Sequence, residues 1–79
     1  MSRIPPHSGK EMVAALLHAG FAQERVSGDH VVLSKDGLAR PVIVPLSKEL
    51  PEFVVSNNLR TAGISRKDYL VQLGKRKSR

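Results

Sequence analysis

Two periods of apolar residues divide the chain. Between residues 8 and 20, Met12, Leu16 and Ala19 form one stripe with Val13 and Leu17 beside it, the spacing of an amphipathic helix. Both ends of this helix are marked. Ser8-Gly9-Lys10-Glu11 fits a capping box, in which Ser8 and Glu11 each satisfy an orphan backbone donor. Gly20 suits the left-handed position beyond the last turn, and Phe21 is placed to fold back onto Leu16. From Phe21 to Pro45 the helical period is gone and strand-like runs replace it: Gln23 to Val26, His30 to Ser34, and Val42 to Val44. Ser27-Gly28-Asp29 reads as a turn, and Lys35-Asp36-Gly37 carries the Asp-Gly signal of a tight hairpin. The result is a three-stranded antiparallel meander, with Pro41 keeping the start of the third strand at an edge or outside the ladder. In the second strand Val31 and Leu33 share one face, and His30, Val32 and Ser34 share the other.

Helical spacing returns after the loop 46–50. Pro51 suits a first turn, and Val54, Val55, Leu59 and Ala62 make a stripe interrupted by Asn57 and Asn58 and closed by Gly63. Ser65-Arg66-Lys67-Asp68 caps a last helix that turns Tyr69, Leu70 and Leu73 inward and stops at Gly74. The order α-β-β-β-α-α specifies an α+β fold with the helices on one side of the sheet. Residues 1–74 form a single domain, behind an extended lead-in through Pro5, Pro6 and His7, and residues 75–79 form a basic, disordered tail.

Size and charge then restrict what such a fold does. A chain of 79 residues buries roughly 60–65% of its unfolded surface, which favours an open face or shallow groove over a deep small-molecule cavity. With no cysteine, neither disulfides nor thiolate metal sites are available. No stretch approaches the ~20 apolar residues that span a bilayer, and residues 1–20 lack a signal peptide's apolar core; a cytoplasmic protein is expected. The net charge of +6 favours a polyanionic partner, although Lys75, Arg76, Lys77 and Arg79 supply four of the positive charges and also suit a simple solvated terminus. Aromatics are few (Phe21, Phe53, Tyr69), which disfavours base stacking on an aromatic platform.

His7, His18 and His30 are widely spaced and accompanied by no metal-binding motif, so no metal and no cofactor is expected. There is also no phosphate-binding glycine loop and no nucleophile elbow. Ser8 and Ser65 read as caps, His18 as a residue suited to a helix C-terminus, and His7 as part of a mobile lead-in. His30 stands apart by its placement next to a turn on the open sheet face. Histidine titrates near neutrality and can take the proton of an RNA 2′-hydroxyl, which then attacks the adjacent phosphorus. Lys35, Arg40 and Lys48 are the candidate phosphate-binding cations, each equally readable as a solvated charge.

Between Ser8 and Tyr69 the chain resembles the HicA (YcfA-like) toxins, mRNA interferases of type II toxin–antitoxin pairs. The resemblance is carried by Ser8-Gly9-Lys10-Glu11, Ala19-Gly20-Phe21, Gly28-x-His30 with its apolar run, Val44-Pro45, Lys48-Glu49-Leu50, and Leu59 leading into Ala62-Gly63-Ile64-Ser65. It implies a double-stranded-RNA-binding-like fold, metal-independent cleavage of mRNA dependent on His30, and a HicB-like antitoxin covering the active face. Asp29 stands where the family usually has serine, Ser47 where a second histidine is frequent, and Phe53-Val54-Val55-Ser56 where Gly-Thr-Leu-Arg is usual. Gly28 and Asp29 would support the turn that presents His30. Three other readings remain open: a module that holds duplex RNA without cutting it, a DNA-binding helix-turn-helix formed by residues 51–73, and a structural or antitoxin-only role, which Asp29 keeps open.

Overall fold

The computed structural model describes residues 4–75, in the order α1 (Gly9–His18), β1 (Ala22–Ser27), β2 (His30–Ser34), β3 (Val42–Pro45), α2 (Glu52–Ala62) and α3 (Arg66–Lys75). The strands form one antiparallel sheet in the order β1-β2-β3, and the chain has the expected α+β, double-stranded-RNA-binding-like arrangement. Val31 and Leu33 of β2 and Val42 and Val44 of β3 are buried, together with Met12 and Leu16 of α1, Val55 and Leu59 of α2, and Tyr69 and Leu73 of α3. One sheet face therefore makes the core, and the strands supply part of its apolar mass. A free-standing helix-turn-helix would have no use for them.

The helix ends follow local chemistry. Glu11 N–H donates to Ser8 Oγ at 3.1 Å, and Ser8 N–H donates to Glu11 Oε1 at 2.7 Å, completing the capping box. At the other end of α1, Gly20 adopts φ +99°, Phe21 N–H reaches Leu16 O, and Gly20 N–H reaches Leu17 O. These are the two bonds of a Schellman closure. Gly63 closes α2 in the same way, with Ile64 N–H on Leu59 O. Asn58, which breaks the apolar stripe of α2, donates from Nδ2 to Ile43 O at 3.2 Å and so ties the helix to the outer edge of β3.

Four expectations need correction. The link from β2 to β3 is not a tight hairpin: Leu38 N–H closes a turn on Lys35 O, but pairing resumes only at Val42, after Pro41. Pro51 precedes α2 as its N-cap instead of entering the first turn. Gly74 does not stop α3, which continues to Lys75; residues 76–79, the rest of the expected tail, lie outside the described residues. His7 is not in a mobile lead-in. It is buried, with Nδ1–H donating to Pro5 O and Nε2 accepting from the Tyr69 hydroxyl, both at 2.8 Å, while its carbonyl takes Leu50 N–H. The ring fills the junction of the lead-in with α3 with both nitrogens satisfied.

Among the glycines of the described residues, Gly9 sits closest to another backbone. A Cβ there would lie 2.0 Å from Pro45 O and 2.9 Å from Leu46 Cα, and Gly9 N–H donates to Ser47 O at 2.9 Å. The start of α1 is thus pressed onto the end of β3 at backbone distance. We expect Gly9→Ala to destabilise the protein by about 1–3 kcal/mol, because neither backbone can yield cheaply. Gly74→Ala should act in the opposite direction, gaining about 0.5–1 kcal/mol, since Gly74 lies inside a helix and a Cβ there meets nothing within 4 Å. Urea titration of both variants checks the pair of signs.

Candidate active site

β1 and β2 are joined by Gly28 and Asp29 alone, with Ser27 paired to His30 across the turn. Gly28 takes φ +57° and Asp29 a negative φ, the pattern of a two-residue turn with glycine first. His30 is therefore the first residue of the central strand, flanked by Ser27 on one side and Pro45 on the other. It is exposed and points away from the core, because Val31 next to it is buried. Neither the His30 nor the Asp29 side chain has a hydrogen-bond or ion-pair partner among the described residues. The Asp29 contribution is through its backbone: its carbonyl accepts Leu46 N–H at 2.6 Å, fastening the turn to the segment after β3.

Pairing partners share a face. The open face thus carries Ser27, His30 and Pro45 at one end, Arg25, Val32 and Ile43 in the middle, and Ala22 and Ser34 at the other. Ile43 remains half exposed there. β1 is exposed along its whole length and holds a bulge between Gln23 and Arg25. The bulge changes which side chains reach the open face: Gln23 pairs with the inward Leu33, while Glu24 accepts a hydrogen bond from the Ser34 hydroxyl on the outward side.

The candidate cations separate into two groups. Lys48 is exposed and follows Ser47, whose carbonyl takes Gly9 N–H, so it belongs to the His30 end of the sheet. Arg40 is exposed in the β2–β3 connection at the opposite end. Lys35 lies five positions from His30, roughly 16 Å along the strand direction. It is also drawn to the inner side, where Nζ donates to Ala19 O at 3.0 Å and sits 5.5 Å from the centre of the Phe21 ring. There it neutralises the C-terminal end of α1. Arg25 was not singled out from the sequence, yet it shares the open face with His30 as a diagonal neighbour, a spacing of about 7–8 Å. Strand alternation counted back from the Gly28 turn would have placed it there. Among the described residues no three His, Asp or Glu side chains cluster as metal ligands.

Comparison with known families settles the kinship of this chain. A family model described as "HicA toxin of bacterial toxin-antitoxin" matches residues 9–64, most of the sequence. The chain belongs to the HicA toxin family. No curated protein and no solved structure gives a match. As a HicA-family protein it is the toxin of a toxin–antitoxin pair, with a cognate antitoxin as partner. The matched span contains every element that positions His30, from the Gly9 contact through β3 to the Gly63 closure of α2. No helix among the described residues of this HicA protein is long and apolar enough to cross a membrane.

The two groups of cations give a direct test. Lys35→Ala should cost about 0.5–1 kcal/mol in urea titration through the lost helix-end contact; if the open face holds an RNA probe, the salt dependence of that binding should be unaltered. Arg25→Ala and Lys48→Ala should each lower that salt slope by about 1 while stability stays the same. A smaller slope for Lys35→Ala would return that lysine to the binding face.

Proposed function

We propose that this HicA toxin is a metal-independent RNA endonuclease in which His30 is the general base. The imidazole takes the proton of a ribose 2′-hydroxyl, and the 2′-oxygen attacks the adjacent phosphorus. The 5′-oxygen of the next nucleotide leaves and takes a proton from water or from the His30 imidazolium, so the products carry a 2′,3′-cyclic or, after hydrolysis, a 3′ phosphate and a 5′-hydroxyl. The observation that carries this reading is the placement of His30: an exposed imidazole with no partner among the described residues, at the first position of the central strand, on the sheet face opposite the helices.

The surrounding residues suit a strand of RNA better than a small molecule. The face is shallow, Arg25 offers positive charge beside His30, and Lys48 is an exposed cation in the segment after β3. Arg40 suits a more distant phosphate at the other end of the face. Gly28 and Asp29 act through the backbone of the turn. The expected substrate is mRNA in the cytoplasm, and the expected antitoxin is a HicB-like protein that blocks the toxin by covering this face. Ile43, half exposed beside the His30 end, gives such a partner an apolar contact.

The test uses protein stripped of its partner under denaturing conditions, refolded, and checked by circular dichroism. Cleavage of a long single-stranded RNA in EDTA is expected, and His30→Ala should slow it by at least about a hundredfold. Equal rates for both proteins, or products with 3′-hydroxyl and 5′-phosphate ends, would refute the role given to His30. Salt-sensitive RNA binding with no cleavage by either protein would favour a module that binds duplex RNA by shape.

A further inference from the structure

The open face has a second feature, away from His30: a shallow concavity lined by Glu24, Arg25, Val32, Ser34 and Pro41. We propose that it is a base-recognition subsite that takes a guanine of the RNA substrate. The proposal rests on the nuclease reading above and supplies the sequence preference of that same face.

The argument starts from a carboxylate in an unexpected place. A surface that binds RNA by its phosphates is weakened by a negative charge, and a carboxylate can only accept hydrogen bonds. Its orientation is nevertheless built in. The bulge between Gln23 and Arg25 turns Glu24 to the outward side, and the Ser34 hydroxyl donates to Oε2 and fixes the group. Oε1 has no partner among the described residues. In a bound RNA the donors such a group can meet are base N–H groups and ribose hydroxyls, and single-stranded bases are read along their Watson–Crick edges.

Among the four bases, guanine alone presents two adjacent donors on that edge, N1–H and N2–H, which match the two oxygens of a carboxylate. Adenine and cytosine place a ring-nitrogen acceptor next to their amino group, and uracil places carbonyl oxygens on both sides of N3–H. Each of these would set an acceptor against a carboxylate oxygen. The remaining lining residues suit the rest of the nucleotide. Val32, half buried, and Pro41 give apolar contact to the base plane, and Arg25 offers its guanidinium to a flanking phosphate. Ser34 lies four residues from His30 on β2, about 13 Å, a distance that a short single-stranded segment spans along one face.

The experiment has a cleavage arm and a binding arm. In the first, RNA of randomised sequence is cut and the ends sequenced. Wild-type protein should require guanine at one fixed offset from the cut, and Glu24→Gln should reduce that preference at least tenfold. Should Glu24→Gln fail to fold, Ser34→Ala, which removes only the hydroxyl that fixes the carboxylate, is expected to weaken the same preference. In the second arm, His30→Ala binds a short RNA with one guanine, and the same RNA with inosine, which keeps N1–H but lacks the 2-amino group. At least fivefold tighter binding of the guanine form is expected, with the difference lost on adding Glu24→Gln. Cleavage without a fixed guanine, or a preference that survives Glu24→Gln, would overturn the subsite and leave the nuclease standing. No cleavage, with guanine still preferred by His30→Ala, would keep the subsite and reject the nuclease. Absence of base preference in both arms would overturn the proposal and leave the concavity as a surface for the antitoxin.

Discussion

At the start of α1 the missing side chain of Gly9 lets two backbones touch, and much of the molecule hangs on that contact. Any Cβ would lie 2.0 Å from Pro45 O, so the helix can sit this close to β3 only with glycine there. The Gly9 N–H bond to Ser47 O then fixes the segment after β3. One residue earlier in that segment, Leu46 N–H holds the Asp29 carbonyl, and Asp29 precedes His30. Two backbone bonds and one steric exclusion thus connect the first turn of α1 to the candidate catalytic histidine. The capping box of Ser8 and Glu11 serves the same end, because it gives α1 a defined first residue at the point of contact.

The distribution of charge follows from the small size of the domain. A short chain has few side chains to spare, and its cations are divided between stability and binding. Lys35 is committed to the C-terminal end of α1 and to Phe21, so a positive charge near the strands in sequence becomes a structural one in space. Arg25 remains on the open face, and Lys48 is exposed in the segment after β3. His7 and His30 show the same division among histidines. The first is enclosed with both ring nitrogens bonded, while the second stands in solvent with neither engaged. Only the second of the two presents its ring to a ligand from solvent.

What the sequence revealed and what it hid differ in range of interaction. The capping box, the glycine closures at Gly20 and Gly63, and the alternation of Val31 and Leu33 against His30 depend on neighbours within a few positions, and they were legible. The enclosure of His7 depends on Tyr69, 62 residues away, and no local pattern announces it. The Glu24 bulge hid the faces of β1, because an extra residue reverses alternation on one side of it. Gly74 misled for a simpler reason: glycine ends a helix only where the backbone turns left-handed, and Gly74 has no positive φ. Asn58 looked like a fault in an apolar stripe and instead serves a carbonyl at the edge of β3.

The two-faced sheet makes register the quantity on which function depends. β2 has five residues and β3 four, and each buries one face, so the apolar side chains that fill the core specify their register. A slip of one position would turn His30 into the core and Val31 into solvent, exchanging the chemical face for the structural one. The molecule resists this at both sides of β2. The two-residue turn at Gly28 and Asp29 fixes β1 against β2, and the bond from Leu46 to the Asp29 carbonyl continues the β2–β3 ladder past its end. The Gly9 contact then prevents β3 from sliding, since its last carbonyl is held against α1. The interactions that stabilise the fold are in this way the same ones that decide which side chain the open face presents.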